Sequence, residues 1–268
     1  MKNLETMKRW IVWLVIASLF AVACVFLSQW QFNRRAEAVA RIELIQNNFD
    51  QSPVELSSLI SGDELAKSDE WRPVKLTGHF EPQKSVLVRN RPYNGQPGFL
   101  QVIPFVLIDG STVAIETGWL PTGNKQDSPD VIPLPDQEQR SIVARLRPTE
   151  PTLGRDAPAG QLGTINVESL IKKVALDGKV FRNFYARASE NYAGSDFPKI
   201  LSKPDLNEGN HLSYALQWIL FALMAFGALW WAISQEQQAK RIAANPNFVP
   251  KKRKKVGDDD KAAEDAIS

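Results

Sequence analysis

The chain has 268 residues with a formal net charge of +2, one cysteine and two histidines. A single cysteine excludes an intrachain disulfide and a Cys-x-x-Cys redox or copper site. The sequence also lacks the Gly-x-Ser-x-Gly motif of serine hydrolases and a glycine-rich phosphate loop. We therefore expect a protein that is not an enzyme.

The first hydrophobic segment runs from Trp10 to Leu27, directly after two basic residues. A helix rises about 1.5 Å per residue, so a segment of this length crosses the hydrocarbon core of a bilayer. The sequence Ala-Val-Ala at 21–23, followed by Cys24, also resembles a signal-peptidase or lipoprotein cleavage site. Because the apolar run continues beyond Cys24, we predict an uncleaved transmembrane helix over 10–29. Its small residues form one stripe that suits helix packing: Ala17, Ala21, Cys24 and Ser28.

The region after this span is predicted to begin with a helical continuation over 34–48 and then to be mostly β. Segments of alternating apolar and polar residues predict strands: 72–80, 85–91, 102–108, 111–120, 141–147 and 180–188. Asp109 and Gly110 predict a hairpin with a tight primed turn, which needs positive φ at both positions if it is type I′. The carboxylates of Asp109 and Glu116 flank this turn, and we expect them to be solvated.

Asn166 is a predicted N-cap for a short helix over 167–176, and the Pro- and Gly-rich pieces 124–136 and 148–163 are predicted loops. We expect an antiparallel β barrel or sandwich with one or two short helices, large enough to bury one core.

The second hydrophobic segment, 211–233, begins with His211, and an ionisable group near membrane depth is often functional. At about 100° per residue, His211, Tyr214 and Trp218 fall on one side of the helix, with Ala222 and Ala225. Leucines and isoleucines occupy the other side. Gln217 lies within the span and is expected to bond another helix, either the first span or a helix of a partner.

Basic residues near the two spans predict the topology. They occur before the first span and again in the tail, above all in the block 251–255. We predict the following organisation: cytoplasmic 1–9, transmembrane 10–29, extracytoplasmic β-rich 30–210, transmembrane 211–233, and a cytoplasmic, charged, disordered tail 234–268. Beside a membrane the basic block suits a solvated tail or anionic lipid, not nucleic acid.

Four motifs, taken in chain order, resemble the Surfeit-locus-one family of cytochrome oxidase assembly factors (Surf-one in animals, Shy-one in yeast). Ser28 stands where that family usually has glycine, and a serine still permits close helix approach. The resemblance covers residues 10 to about 231 and implies a bacterial member in the plasma membrane. The motifs are 27–31 with Arg34 and Arg35, then 70–80, then 102–105 with 117–121, and the spacing His-x-x-Tyr-x-x-x-Trp at 211–218.

This resemblance implies that the chain helps to assemble an aa3-type cytochrome c oxidase by assisting insertion of haem a into the catalytic subunit. His211 would be an axial ligand of the haem iron, Tyr214 would orient a porphyrin substituent, and Trp218 would supply a flat apolar wall. The implied partners are the oxidase catalytic subunit, haem a synthase or a respiratory supercomplex, and the lipid bilayer.

Plainer readings of the same residues remain open. His211 could serve only as a hydrogen-bonding residue at the entry of the helix. Tyr214 and Trp218 could serve as interfacial anchors or in ordinary helix packing. His79, the other histidine, is read as a packed or surface strand residue. The alternative for the whole chain is a cofactor-free scaffold or accessory subunit of the oxidase or a supercomplex.

Overall fold

The computed structural model describes residues 2–124, 127–154 and 157–245, and it separates into two compact units. The helical unit consists of the described residues of Met1–Ala38 and Glu208–Ser268. The β unit is Val39–Asn207.

Two long helices form the helical unit: α1, Lys2–Asn48, whose last turns belong to the β unit, and α4, His211–Ala244. By length and composition both are long and apolar enough to cross a membrane. The predicted helical continuation to residue 48 is confirmed. Helix α4 continues past residue 233 to Ala244, and the predicted disorder of the tail from residue 246 onward lies outside the described residues.

Helix α1 packs on α4 through the predicted small-residue stripe. Cys24 and Ser28 are buried, and the Ser28 Oγ donates a hydrogen bond of 3.0 Å to the carbonyl of Ala215. Ala215 is itself fully buried. Small side chains let two backbones approach closely enough for such a contact, so the stripe sets how the helices pair.

Within its described residues, the β unit contains eight strands and two short α-helices, separated by loops. Two single turns of 3₁₀ helix, at Lys67–Asp69 and Pro82–Lys84, flank the second strand. The elements are β1 Val54–Glu55, α2 Leu56–Leu59, β2 Pro73–Phe80, β3 Val86–Val88, β4 Gly98–Leu107, β5 Thr112–Pro121, β6 Arg140–Pro148, β7 Gln161–Leu162, α3 Val167–Val174 and β8 Phe184–Ala188.

Five of these strands close into a barrel. The sheet order is β1-β2-β6-β8-β5-β4-β3-β7, and the extra pairing of β2 with β4 joins the ends of the five central strands. A Cβ on Gly78 would lie 1.9 Å from the carbonyl oxygen of Val106, so a glycine is required where β2 and β4 meet. The barrel alternative of the prediction is therefore observed. The pairings are mostly antiparallel, with parallel pairs β1–β2, β3–β7 and β5–β8.

Alternation along each strand places one apolar set inside the barrel and another outside it. Ile142 and Leu146 of β6 and Phe105 of β4 belong to the inner cluster. The outer cluster packs α3 against the sheet through residues such as Val167 and Leu170. As predicted, Asn166 is the N-cap of α3, and its side chain accepts a hydrogen bond from the Ser169 amide.

The hairpin between β4 and β5 is present, but its turn is not type I′. Gly110 has a φ of 82°, whereas Asp109 has a φ outside the positive region. The Gly110 amide donates to the Leu107 carbonyl and the Leu107 amide to the Ser111 carbonyl, which makes a three-residue loop. The Asp109 carboxylate accepts hydrogen bonds from the Ser111 amide and hydroxyl, which holds Asp109 in its own turn conformation. The type I′ prediction was therefore wrong.

The last strand is shorter than predicted. Val180 makes only an isolated bridge to Thr112, and regular pairing begins at Phe184. The strand predicted over 180–188 is thus confirmed only in its second half.

Candidate functional site

His211 is the first residue of α4 and follows the N-cap Asn210. Its imidazole is half-buried, and Nδ1 lies 2.9 Å from the Oε1 of Gln31 on α1. Gln31 is the last residue of the motif at 27–31. Two motifs that lie far apart in the sequence therefore meet within the helical unit.

This contact favours one tautomer of the histidine. Because a carboxamide oxygen accepts hydrogen bonds, it favours the neutral ring with the proton on Nδ1 and the lone pair on Nε2. Histidines that bind metals are commonly held in this way through their second nitrogen. The nearest glycine, Gly209, has a φ of 75°, and a Cβ there would lie 3.5 Å from Nε2. The chain thus passes beside Nε2 at a residue that has no side chain.

Tyr214 and Trp218 lie on the predicted side of α4 but differ in exposure. Tyr214 is 50% exposed. Trp218 is half-buried and packs edge-on against Phe221 with 5.7 Å between ring centroids. Among the described residues, neither the Tyr214 hydroxyl nor the Trp218 indole has a hydrogen-bond partner, so both polar groups are available to another molecule.

An ion pair holds the chain just before α4. Arg35 Nη2 on α1 lies 3.0 Å from the carboxylate of Glu208, and the two side chains are 39% and 42% exposed. An exposed pair of this kind contributes at most about 1 kcal/mol. Together with the bonds from Gln31 and Ser28, it fixes the segment that carries His211.

The donor set fits haem better than a free metal ion. Within the described residues, no group of three or more His, Cys, Asp or Glu is placed to hold a metal ion. A porphyrin supplies four ligands itself, so the iron of a haem needs only one or two from the protein. A single half-buried imidazole with an oriented second nitrogen meets that requirement.

The β unit holds a buried charge that the sequence did not reveal. Glu116 is fully buried on β5, and its carboxylate lies 2.8 Å from the Nε of Arg187 on β8. The sequence placed this carboxylate beside a turn and suggested that it was solvated, which was wrong. Burial raises the pKa of Glu116, and the Arg187 guanidinium opposes that change. Burial, and then the charge of Glu116, raise the pKa of Tyr185 to about 12.

Arginines and aromatic rings surround this pair. The guanidinium carbons of Arg147 and Arg187 lie 3.9 and 5.1 Å from the centroid of Trp71. Trp71 has a φ of 70°, which is rare for a large side chain and is retained only where the surroundings hold it. The arrangement contains no free nucleophile or base, and we assign it a structural role. His79 is an exposed residue of β2, as expected for a surface strand histidine.

These features define a β-barrel protein whose barrel is flanked in sequence by two helices that are long and apolar enough to cross a membrane. The second of these helices begins with a histidine. The SURF1 family model matches residues 18–223, which include the His211 motif. The chain belongs to the SURF1 family, and the resemblance found in the sequence is confirmed.

Individual relatives agree with this assignment. An uncharacterized SURF1-like protein of Mycobacterium tuberculosis is 30% identical over 236 residues, which cover 87% of this chain and 86% of that protein. The cytochrome oxidase assembly protein SHY1 of Saccharomyces cerevisiae is 29% identical over 143 residues, 50% of this chain and 36% of the yeast protein. Surfeit locus protein 1 of Arabidopsis thaliana is 26% identical over 135 residues, 47% of this chain and 38% of the plant protein.

Proposed function

We propose that this protein assists the assembly of an aa3-type cytochrome c oxidase by holding haem a for insertion into the catalytic subunit. Family membership supports a role in oxidase assembly, because a relative is named as such an assembly protein. The observation that carries the haem step is the hydrogen bond between His211 Nδ1 and Gln31, which leaves Nε2 as the iron ligand.

In this role each residue binds or orients, and haem a is cargo. His211 supplies the axial nitrogen, Tyr214 presents a hydroxyl to a porphyrin substituent, and Trp218 presents an aromatic face. The proposed partners are the oxidase catalytic subunit and, besides it, haem a synthase or a respiratory supercomplex. This role requires no covalent step, so the function that we propose is not enzymatic.

The proposed location is the bacterial plasma membrane, with α1 and α4 as spans and both chain ends in the cytoplasm. The β unit then lies outside. Gly160 is exposed in a loop before β7, and a reporter protein inserted there tests this topology. An extracytoplasmic reporter should be active and a cytoplasmic one silent. The reverse result, or a mature N-terminus at Cys24, contradicts it.

The haem step is tested by changing His211 in the full-length protein, produced together with haem a synthesis. His211→Ala should abolish the haem a absorbance of the purified protein and lower the yield of haem-loaded oxidase. His211→Gln keeps a polar group for Gln31 but is a poor iron ligand, so it should show the same loss. His79→Ala changes the exposed histidine of β2 and should behave as wild type.

The alternative is a cofactor-free scaffold or accessory subunit. In that role the His211–Gln31 bond serves only to tie α1 to α4. His211→Gln would then support normal oxidase maturation, and the purified protein would carry no haem. Those two results together would contradict the haem-carrier role and support the scaffold role.

A further inference from the structure

A groove opens between α1 and α4 within the helical unit. It has a volume of about 410 Å³, and every residue that lines it is apolar. Helix α1 contributes mainly aromatic rings and α4 mainly alanines. The residues that shape it most are Trp10, Trp13 and Phe20 on α1, and Ala225, Ala228 and Ala232 on α4.

An unpaired polar side chain lies on the same side of α4. At about 100° per residue, Gln217, Phe221 and Ala228 fall within about 40° of one another around the helix. Gln217 is exposed, and among the described residues its carboxamide has no hydrogen-bond partner, on α1 or elsewhere. The first of the two expectations for Gln217, a bond to the first span, is therefore wrong. In hydrocarbon an unpaired carboxamide is costly, so it requires a partner from outside the chain.

The remaining exposed surface of the two helices does not require a hydrogen-bond partner from outside the chain. On α1 the large exposed residues at membrane depth are apolar, such as Leu19, Val22 and Phe26. The exposed polar residue there is Ser18, whose short hydroxyl can bond to a backbone carbonyl of its own helix. On α4 the side opposite the groove carries Leu223, which is 64% exposed. Lipid tails solvate these apolar side chains fully. Among the described residues of the two helices, the side of α4 with Gln217 and the groove places an unpaired carboxamide on the same side as a concave apolar surface.

We propose that this groove docks a transmembrane helix of another protein, and that Gln217 hydrogen-bonds to a polar side chain of that helix. The alanines of α4 permit the close backbone approach that helix packing in membranes uses. An acyl chain fills a groove but offers no hydrogen bond to a carboxamide. A second copy of this chain, related by a two-fold axis, would set groove against groove and leave a void. A single helix presents a convex ridge that fills the groove, and it can carry a side chain that hydrogen-bonds to Gln217.

The identity of the docked helix rests on the proposed function. If the protein assists oxidase assembly, the helix belongs to a membrane-embedded subunit of the oxidase. The helix carries a hydrogen-bonding side chain at the depth of Gln217 and apolar residues along its ridge beside Ala228 and Ala232.

The test is site-specific photocrosslinking of the full-length protein in cells that make the oxidase. A photoreactive residue at Ala228 should crosslink to an oxidase membrane subunit, identified by mass spectrometry. The same residue at Leu223, on the other side of α4, is the matched control and should give several-fold less of this product. Gln217→Leu should reduce the Ala228 product several-fold, and Gln217→Asn, which keeps the carboxamide, should restore most of it.

Other results overturn the docking or separate it from the proposed function. Equal yields at Ala228 and Leu223, a product with a second copy, or products with lipid alone contradict the docked helix. If removing the protein lowers haem-loaded oxidase but Ala228 gives no helix product, the docking fails and the proposed function stands. If removal leaves the oxidase unchanged while Ala228 still crosslinks to a transmembrane helix of another protein, the function fails and the docking stands.

Discussion

The two units of this protein use opposite strategies for their apolar side chains. The helical unit exposes large ones, such as Phe26 at 72% and Leu19 at 65%, and buries mainly small residues between its helices. The β unit buries large ones, such as Phe105 and Trp119, and even encloses the carboxylate of Glu116. The difference shows that the β unit carries its own apolar environment, whereas the helical unit depends on one supplied by its surroundings. Substitutions should therefore affect folding most in the β unit and function most in the helical unit.

The largest loss of folding stability is expected at the closure of the barrel. Gly78→Ala places a Cβ 1.9 Å from the Val106 carbonyl oxygen, so β2 and β4 must separate. We expect the free energy of unfolding to fall by about 3 kcal/mol or more, because backbone cannot repack as a side chain does. Thermal unfolding followed by circular dichroism measures it. His79→Ala, at the exposed next residue, is the control, and equal melting temperatures for the two variants would show that the barrel is not closed here.

The next effect concerns the buried ion pair. Glu116→Gln leaves the Arg187 guanidinium without its counter-charge and should cost about 3 kcal/mol, since removing one partner of a buried pair strands the other. The double variant Glu116→Leu with Arg187→Leu should recover much of the loss. A double-mutant cycle that adds the single variants Glu116→Leu and Arg187→Leu, measured by denaturant unfolding, tests this, and additive losses would mean that the two groups do not interact.

A smaller loss is expected at the hairpin turn. Gly110 has a φ of 82° with open space around its Cβ position, so Gly110→Val tests backbone strain without a clash. We expect about 1–2 kcal/mol of destabilisation. Gly110→Asn should cost less, because asparagine adopts positive φ more readily. Chemical denaturation of both variants measures the difference, and equal losses would count against backbone strain as the cause.

The smallest effect is expected in the helical unit. Ser28→Ala removes the hydrogen bond to the Ala215 carbonyl but keeps the small side chain that the packing needs. Such bonds in membranes contribute about 0.6 kcal/mol on average. Unfolding of the detergent-solubilised protein by added sodium dodecyl sulfate, followed by tryptophan fluorescence, measures it. A loss as large as that of Gly78→Ala would erase the contrast between the units.

Local patterns were sufficient to predict most of the secondary structure. The apolar runs predicted both long helices, alternation predicted β2 and β6, and Asn166 correctly marked the start of α3. The hairpin turn was misassigned because the pair Asp-Gly suits more than one turn, and the side-chain bonds from Asp109 to Ser111 decide between them. Strand β8 was predicted too long because pairing partners, and not alternation alone, determine where a strand begins.

The polar contacts were much less predictable. Gln31 and His211 both stood in recognised motifs, yet nothing in either segment indicated that their side chains would meet. Glu116 appeared solvated because its partner, Arg187, lies on a strand that becomes its neighbour only when β5 and β8 pair in parallel. Contacts of this kind depend on the fold, so they become visible only in three dimensions.

The strand order has a consequence for how the β unit behaves at high concentration. The strands at the two ends of the sheet, β1 and β7, have only two residues each, and the ring strands are bonded on both sides. Unpaired edge backbone is the template on which foreign strands add and aggregates grow. Very little such template is available in this unit. The topology of this unit therefore limits aggregation by strand addition.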